Sequence, residues 1–146
     1  MTSVHWFVNK STEIRALQNL RRDGKLPLRV YLVVPVEYLS CLTDAGLTTG
    51  FGDRSLKLGC IKILADGSLG ARTAALTQPY SDEPSTTGVL CYAERELEKM
   101  LVEAHEAGFQ IAVHAIGDLT VDMVLNAFQK VFEKSGSLKS YRHRIE

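Results

Sequence analysis

Short apolar runs alternate with stretches of helical period along the whole chain, the pattern of β-α units on a parallel sheet. Met1–Phe7 predicts a short strand. Ser11 or Thr12 is placed to cap a helix carrying Ile14, Leu17 and Leu20, with Gly24 as its stop. Leu28–Val34 is β-branched and apolar after Arg29, as a strand buried on both faces requires, and Pro35 ends it. A shorter helix is expected over Val36–Ala45, then a turn-rich stretch over Gly50–Gly59, then a third strand over Cys60–Ala65. Asp66–Tyr92 has no period and holds Gly67, Gly70, Pro79, Pro84 and Gly88. So long an irregular segment in a compact domain is usually functional or disordered.

Two clear helices follow. Leu97, Met100, Leu101 and Ala104 repeat at helical spacing, with Gly108 behind them. Val121, Val124, Leu125, Phe128, Val131 and Phe132 form the second stripe, with Gly136 as its stop. Gln110–His114 between them reads as a strand, and Tyr141–Glu146 as a last one. The fold class expected is α/β, with five strands and four helices in alternation. Either an open doubly wound sheet or five-eighths of a (β/α)8 TIM barrel accommodates that order, and a whole barrel takes about 250 residues.

Strand alternation then isolates an unusual face. Cys60, Lys62, Leu64 and Asp66 share one side of their strand, and Gln110, Ala112 and His114 share one side of theirs. The opposite sides, Ile61, Ile63 and Ala65 in one and Ile111 and Val113 in the other, are purely apolar and suit a helix layer. In a barrel the polar face lines the lumen. Asp66 and His114 then sit at the C-terminal strand ends, where such folds build their sites. Each residue also has a plainer role open to it. Lys62 can simply pair with Asp66, His114 can be a hydrogen-bonded core residue, and Asp118 can cap the helix that follows it. Arg72 suits an anionic substrate group or a structural pair. His105, flanked by Glu103 and Glu106, is expected in solvent; His5 and His143 have no evident partner.

Composition narrows the classes. Lys plus Arg and Asp plus Glu each number 17 in 146 residues, which argues against a nucleic-acid binder. No apolar run approaches a membrane span, and the N-terminus lacks the charged and apolar regions of a signal peptide, so a cytoplasmic protein is expected. Cys41, Cys60 and Cys91 are too few and too scattered for a disulfide scaffold or a structural zinc site, and read as reduced, partly buried thiols. The Asp66–Arg72 loop matches neither phosphate-binding glycine motif, which disfavours a nucleotide-binding domain.

Three segments together resemble amidohydrolase family 3, metal-dependent hydrolases that include N-substituted formamide deformylase. They are Ile61 to Leu76 (IKILADGSLGARTAAL), Ala112 to Asp118 (AVHAIGD) and Arg142 to Glu146 (RHRIE). Pro79-Tyr80-Ser81-Asp82, Gly88 and Thr2-Ser3-Val4-His5 fit the same family, so the likeness covers essentially the whole chain. The resemblance implies a (β/α)8 barrel with a small β-sandwich. Residues 1–146 would supply barrel strands two to six, with strand one, strands seven and eight and the sandwich lying outside them. It implies one or two divalent metal ions, zinc foremost, and a metal-activated hydroxide acting on a small amide- or formamide-type substrate. By the same resemblance His114 is the strand-five metal ligand and Lys62 the bridging lysine, carboxylated on its amine in related enzymes. Asp66, Arg72 and Asp118 would support the ligands or the substrate.

The departures matter equally. No His-x-His pair occurs, the strand-six histidine would follow Glu146, and His143 lies too deep in its strand to replace it. The 146 residues alone are therefore expected to be inactive, and their two open sheet edges to invite self-association. The competing expectation is a non-catalytic α/β module that binds a ligand or partner after losing the metal site.

Overall fold

The computed structural model describes residues 1–135 and 141–146. Five strands, β1 (Ser3–Phe7), β2 (Arg29–Pro35), β3 (Leu56–Leu64), β4 (Gln110–His114) and β5 (Arg144–Ile145), form one sheet. Every neighbouring pair is parallel and the spatial order is β1-β2-β3-β4-β5. Helices α1 (Ser11–Arg22), α2 (Leu39–Asp44), α3 (Glu94–Glu106) and α4 (Asp118–Ser135) lie in the connections, with a 3-10 turn over Val36–Tyr38 before α2. A doubly wound sheet reverses its strand order midway. This one never does, which decides for the partial barrel.

The main core joins one sheet face to the helices. Leu32, Val34, Ile61, Ile63, Ile111 and Val113 meet Leu17, Leu97, Leu101, Val124 and Val131 there. The other face is concave, because side chains two strands apart touch across the strand between them. The Tyr31 hydroxyl of β2 donates to Gln110 Oε1 of β4 at 2.6 Å. Arg144 Nη2 of β5 lies 3.3 Å from Cys60 Sγ of β3, and Lys62 of β3 reaches Glu146, just past β5. Val33, Cys60 and Ala112 pack beneath them. Layers built from alternate strands are how a barrel lumen fills.

Several local expectations are corrected. β3 begins at Leu56, inside the stretch expected to be turn-rich, and its register against β2 slips after Leu32–Leu58 to Val33–Cys60. Gly59 is the extra residue of this bulge, and a Cβ there would run into the Tyr31 ring. The slip lets both Leu58 and Ile61 face the helices, and it turns Lys62 into the lumen. Ser11 is the first residue of α1 rather than its cap, and no side chain caps that helix. On α4 the buried residues are Thr120, Met123, Val124, Ala127 and Val131, while Leu125 and Phe132 lie half exposed on the flank. His105 is buried, not solvated: it follows the buried Leu101 by one turn, and its ring meets Tyr141 and His143. The three thiols are free, but only Cys60 is buried. Gly136, expected to stop α4, lies outside the described residues.

Candidate active site

The long segment between β3 and α3 contains no helix or regular strand, yet it is internally fastened. Its anchor is Asp66, two residues past β3 and 3% exposed. One carboxylate oxygen accepts the amides of Ala75 at 3.1 Å and Gly117 at 2.8 Å; the other accepts that of Ile116 at 3.0 Å. Burial pushes the pKa of this carboxyl up, but the hydrogen bonds from Gly117, Ile116, Thr120 and Ala75 outweigh it, so the carboxyl titrates below its usual range. Gly117 has no alternative here, since any side chain would overlap the Ala75 carbonyl. The Asp66 carboxylate thus ties the start of the long loop to its middle and to the turn after β4.

His114 ends β4 beside this anchor. Its Nε2 lies 2.7 Å from the Gly67 carbonyl and 3.9 Å from Asp66 Oδ1. A carbonyl only accepts, so Nε2 donates here, and in the neutral ring the lone pair sits on Nδ1. A metal-ligating imidazole has this arrangement, its second nitrogen fixed by an acceptor. Lys62 lies one lumen step below: its register partner is Ala112, and that of Leu64 is His114. The Lys62 side chain is 10% exposed. Its ammonium donates to Glu146 Oε1 at 2.6 Å and sits 5.5 Å from the Phe7 ring centre.

The pairing of Lys62 with Asp66 that strand spacing allowed is therefore corrected. Asp66 is consumed by backbone amides, and Lys62 crosses the small Ala112 to reach Glu146. Glu146 was missed as a site residue because only sheet curvature brings β3 and β5 together. Asp118 opens α4 as its first helical residue and accepts both the amide and the hydroxyl of Thr77, which pull its carboxyl below the usual range. Arg72 pairs with Asp82 at 2.9 Å within the loop, both side chains being well exposed. Asp118 and Arg72 thus brace the loop, while His114 and Lys62 face the lumen.

Beside Lys62, a cavity of about 180 Å3 opens at the C-terminal ends of β1, β2 and β3. Phe7, Val33, Pro35, Leu64 and Tyr92 form its walls and Glu37 stands among them. A larger cavity of about 570 Å3 lies on the helix side, between Ile14, Leu42, Phe51 and Leu58. It is remote from the lumen residues.

As a metal site, the chain fits in kind and falls short in number. His114 offers an imidazole nitrogen and Lys62 a half-buried amine, but no group of three or more His, Cys, Asp or Glu side chains placed to hold a metal occurs among the described residues. Catalytic zinc sites use three protein ligands.

The comparisons with known proteins bear on the family and the fold. "Putative amidohydrolase YtcJ" of Bacillus subtilis is 37% identical over 131 residues, covering 90% of this chain and 24% of that protein. "N-substituted formamide deformylase" of Arthrobacter pascens is 27% identical over 82 residues, 56% of this chain and 15% of that one. A crystal structure described as an uncharacterized metal-dependent hydrolase from Pyrococcus horikoshii superposes with a TM-score of 0.83 at 40% identity, covering 99% of this chain and 28% of that one. The chain therefore spans about a quarter of the length of such relatives. The profile of the amidohydrolase family matches residues 1–146, and the chain belongs to that family.

Proposed function

We propose that residues 1–146 are the central part, strands two to six, of a metal-dependent hydrolase that cleaves non-peptide carbon–nitrogen bonds of amide or formamide type. The observation that carries this reading is His114. Its Nε2 is fixed by the Gly67 carbonyl, which in the neutral ring leaves Nδ1 to ligate, on the lumen face that also holds the half-buried Lys62. The divalent metal of such enzymes, zinc in this reading, supplies hydroxide at neutral pH by lowering the pKa of its bound water. His114 and a carboxylated Lys62 are the ligands this chain contributes. Because two ligands do not complete a site, no catalytic step is assigned to the chain by itself. Asp66 ties the loop to the turn after His114, and Arg72–Asp82 and Asp118–Thr77 brace that loop.

The part of the molecule outside these residues is read to contain strand one with its His-x-His pair, strands seven and eight and the sandwich. A cytoplasmic location fits the three free thiols. No helix among the described residues is long and apolar enough to cross a membrane.

A second reading, a non-catalytic α/β binding module, draws on one observation: the amine of Lys62 is already engaged by Glu146. One experiment separates the two. The coding sequence on both sides should contain the His-x-His pair upstream and a histidine directly after Glu146. The longer protein should then hold metal and hydrolyse members of a panel of N-acyl compounds, and His114→Ala should abolish turnover. The 146-residue chain, dialysed against zinc, should retain far less than one equivalent and show no turnover. Flanks without those histidines, or a longer protein free of metal and activity, would establish the binding module instead.

A further inference from the structure

Resting on the hydrolase reading, we propose that Thr73 is a positioning residue for His114, acting through the one peptide unit between Gly67 and Ser68.

That peptide unit has two polar ends, and a different side chain engages each. Its carbonyl, on Gly67, accepts from His114 Nε2 at 2.7 Å. Its N–H, on Ser68, donates to the Thr73 hydroxyl oxygen at 3.0 Å. A trans peptide is planar and its C=O and N–H point in opposite directions, so whatever fixes the N–H also aims the carbonyl.

Thr73 is itself held from both sides. Its amide donates to the Ser68 carbonyl at 3.0 Å, and its own carbonyl accepts the amides of Gly67 and Val89, both at 3.2 Å. The hydroxyl proton faces the Ser68 carbonyl at 3.5 Å, which leaves the hydroxyl oxygen to accept. Gly67 completes the fit. A Cβ there would lie 2.0 Å from Thr73 Oγ1, so only glycine lets the hydroxyl come this close.

The consequence is felt at the ring. While the carbonyl faces His114, the proton of the neutral imidazole belongs on Nε2 and the lone pair on Nδ1. A rotated peptide would present the Ser68 N–H instead, draw the lone pair to Nε2 and leave the proton on Nδ1. The nitrogen that the hydrolase reading gives to the metal would then be blocked. Asp66 Oδ1 favours the first tautomer by charge, but it lies 3.9 Å from Nε2, beyond hydrogen-bond distance, and already accepts the Ile116 amide. It does not replace the carbonyl.

The test reads the tautomer in the 146-residue chain and needs neither metal nor turnover. Imidazole 15N shifts distinguish a protonated nitrogen from one with a lone pair, and His114→Gln identifies the His114 signals among those of the four histidines. Spectra are taken at about pH 8, above the ordinary histidine pKa. In the unaltered chain the His114 proton should sit on Nε2. Thr73→Val keeps the shape and removes the hydroxyl; it should move the ratio about fivefold toward the Nδ1–H form, the weight of one neutral hydrogen bond. Thr73→Ala should do the same and serves where valine disturbs the turn. Thr73→Ser should restore the original ratio. In a longer protein with the remaining ligands, Thr73→Val should weaken zinc about tenfold and Thr73→Ser should not. The proposal is overturned by an unaltered chain protonated on Nδ1, by an unchanged ratio in the valine and alanine variants, by a serine variant that shifts as far as they do, or by zinc affinity that ignores a shifted tautomer. Each of these leaves the hydrolase reading intact. Conversely, a longer protein that holds no metal, although its His114 tautomer answers to Thr73, would remove that reading and keep the positioning role.

Discussion

The Gly117 amide donates to the Asp66 carboxylate at 2.8 Å, linking the turn after β3 to the turn after β4. Because Ala75 and Ile116 give their amides to the same carboxylate, one buried side chain sets the position of His114 and of the loop above it. Asp66→Ala leaves three amides without an acceptor. The expected cost is about 3 kcal/mol, or roughly a 10 °C fall in Tm. Calorimetry checks it, and a fall of under 3 °C would show that the loop is held elsewhere.

Gly117→Ala forces a methyl group onto the Ala75 carbonyl and should cost about 2–3 kcal/mol. Since the same displacement breaks the Asp66 bonds, the double variant Asp66→Ala, Gly117→Ala should be less destabilised than the sum of the two. A urea-denaturation cycle measures that coupling, and strict additivity would separate the two sites.

Acid should loosen the seam between β4, β5 and the helices. His143 Nδ1 accepts the Ile111 amide at 3.0 Å and its Nε2 lies 3.0 Å from His105 Nδ1, with the Phe128 ring stacked against it. Burial, and then the neighbouring His105, push its pKa down from 6.5 to about 4. Between those values the unfolded chain binds the proton and the folded chain does not. This stability is therefore complete above pH 6.5 and declines as the pH falls toward 4. Urea midpoints measured from pH 7.5 to 4.5 should drop, and His143→Gln should flatten the curve; parallel curves for the two proteins would refute this.

The Lys62–Glu146 pair predicts an asymmetry between its two partners. Lys62 is 10% exposed and Glu146 31%, so Glu146→Gln strands an ammonium that cannot reach water easily. It should cost about 1–2 kcal/mol, whereas Lys62→Met should cost under about 1 kcal/mol because Glu146 can turn to solvent. Thermal melts of both variants decide it, and the reverse order would mean that Lys62 does not depend on Glu146.

Among the described residues no strand pairs with the outer edge of β1, and Trp6 on it is 41% exposed. Sedimentation from about 5 to 200 µM should show concentration-dependent association of the 146-residue chain. Ser3→Pro, which removes an edge donor, should reduce it. A monomer across the range would count against open-edge pairing.

Strand and helix order were legible because each element carries its own period, and the polar parity of Lys62 and His114 follows from alternation within a single strand. Local spacing also marked Asp66–Tyr92 as exceptional. Contacts between distant elements were another matter. Asp66 is spent on backbone amides, which have no sequence signature; Lys62 meets Glu146 only because the sheet curves; Glu37 joins the cavity only through the convergence of three strand ends. His105 was misread from its charged neighbours Glu103 and Glu106, although its one-turn spacing from Leu101 places it on the buried face of α3. The Gly59 bulge is the clearest case. Alternation counted from Leu56 would have turned Lys62 toward the helices, and only pairing with β2 inserts the extra residue that turns it into the lumen. By itself, then, the sequence determined the parallel β-α frame and the residue types on its polar face. Tertiary structure decided which of those groups meet, because curvature and register are properties of paired strands and of no strand alone.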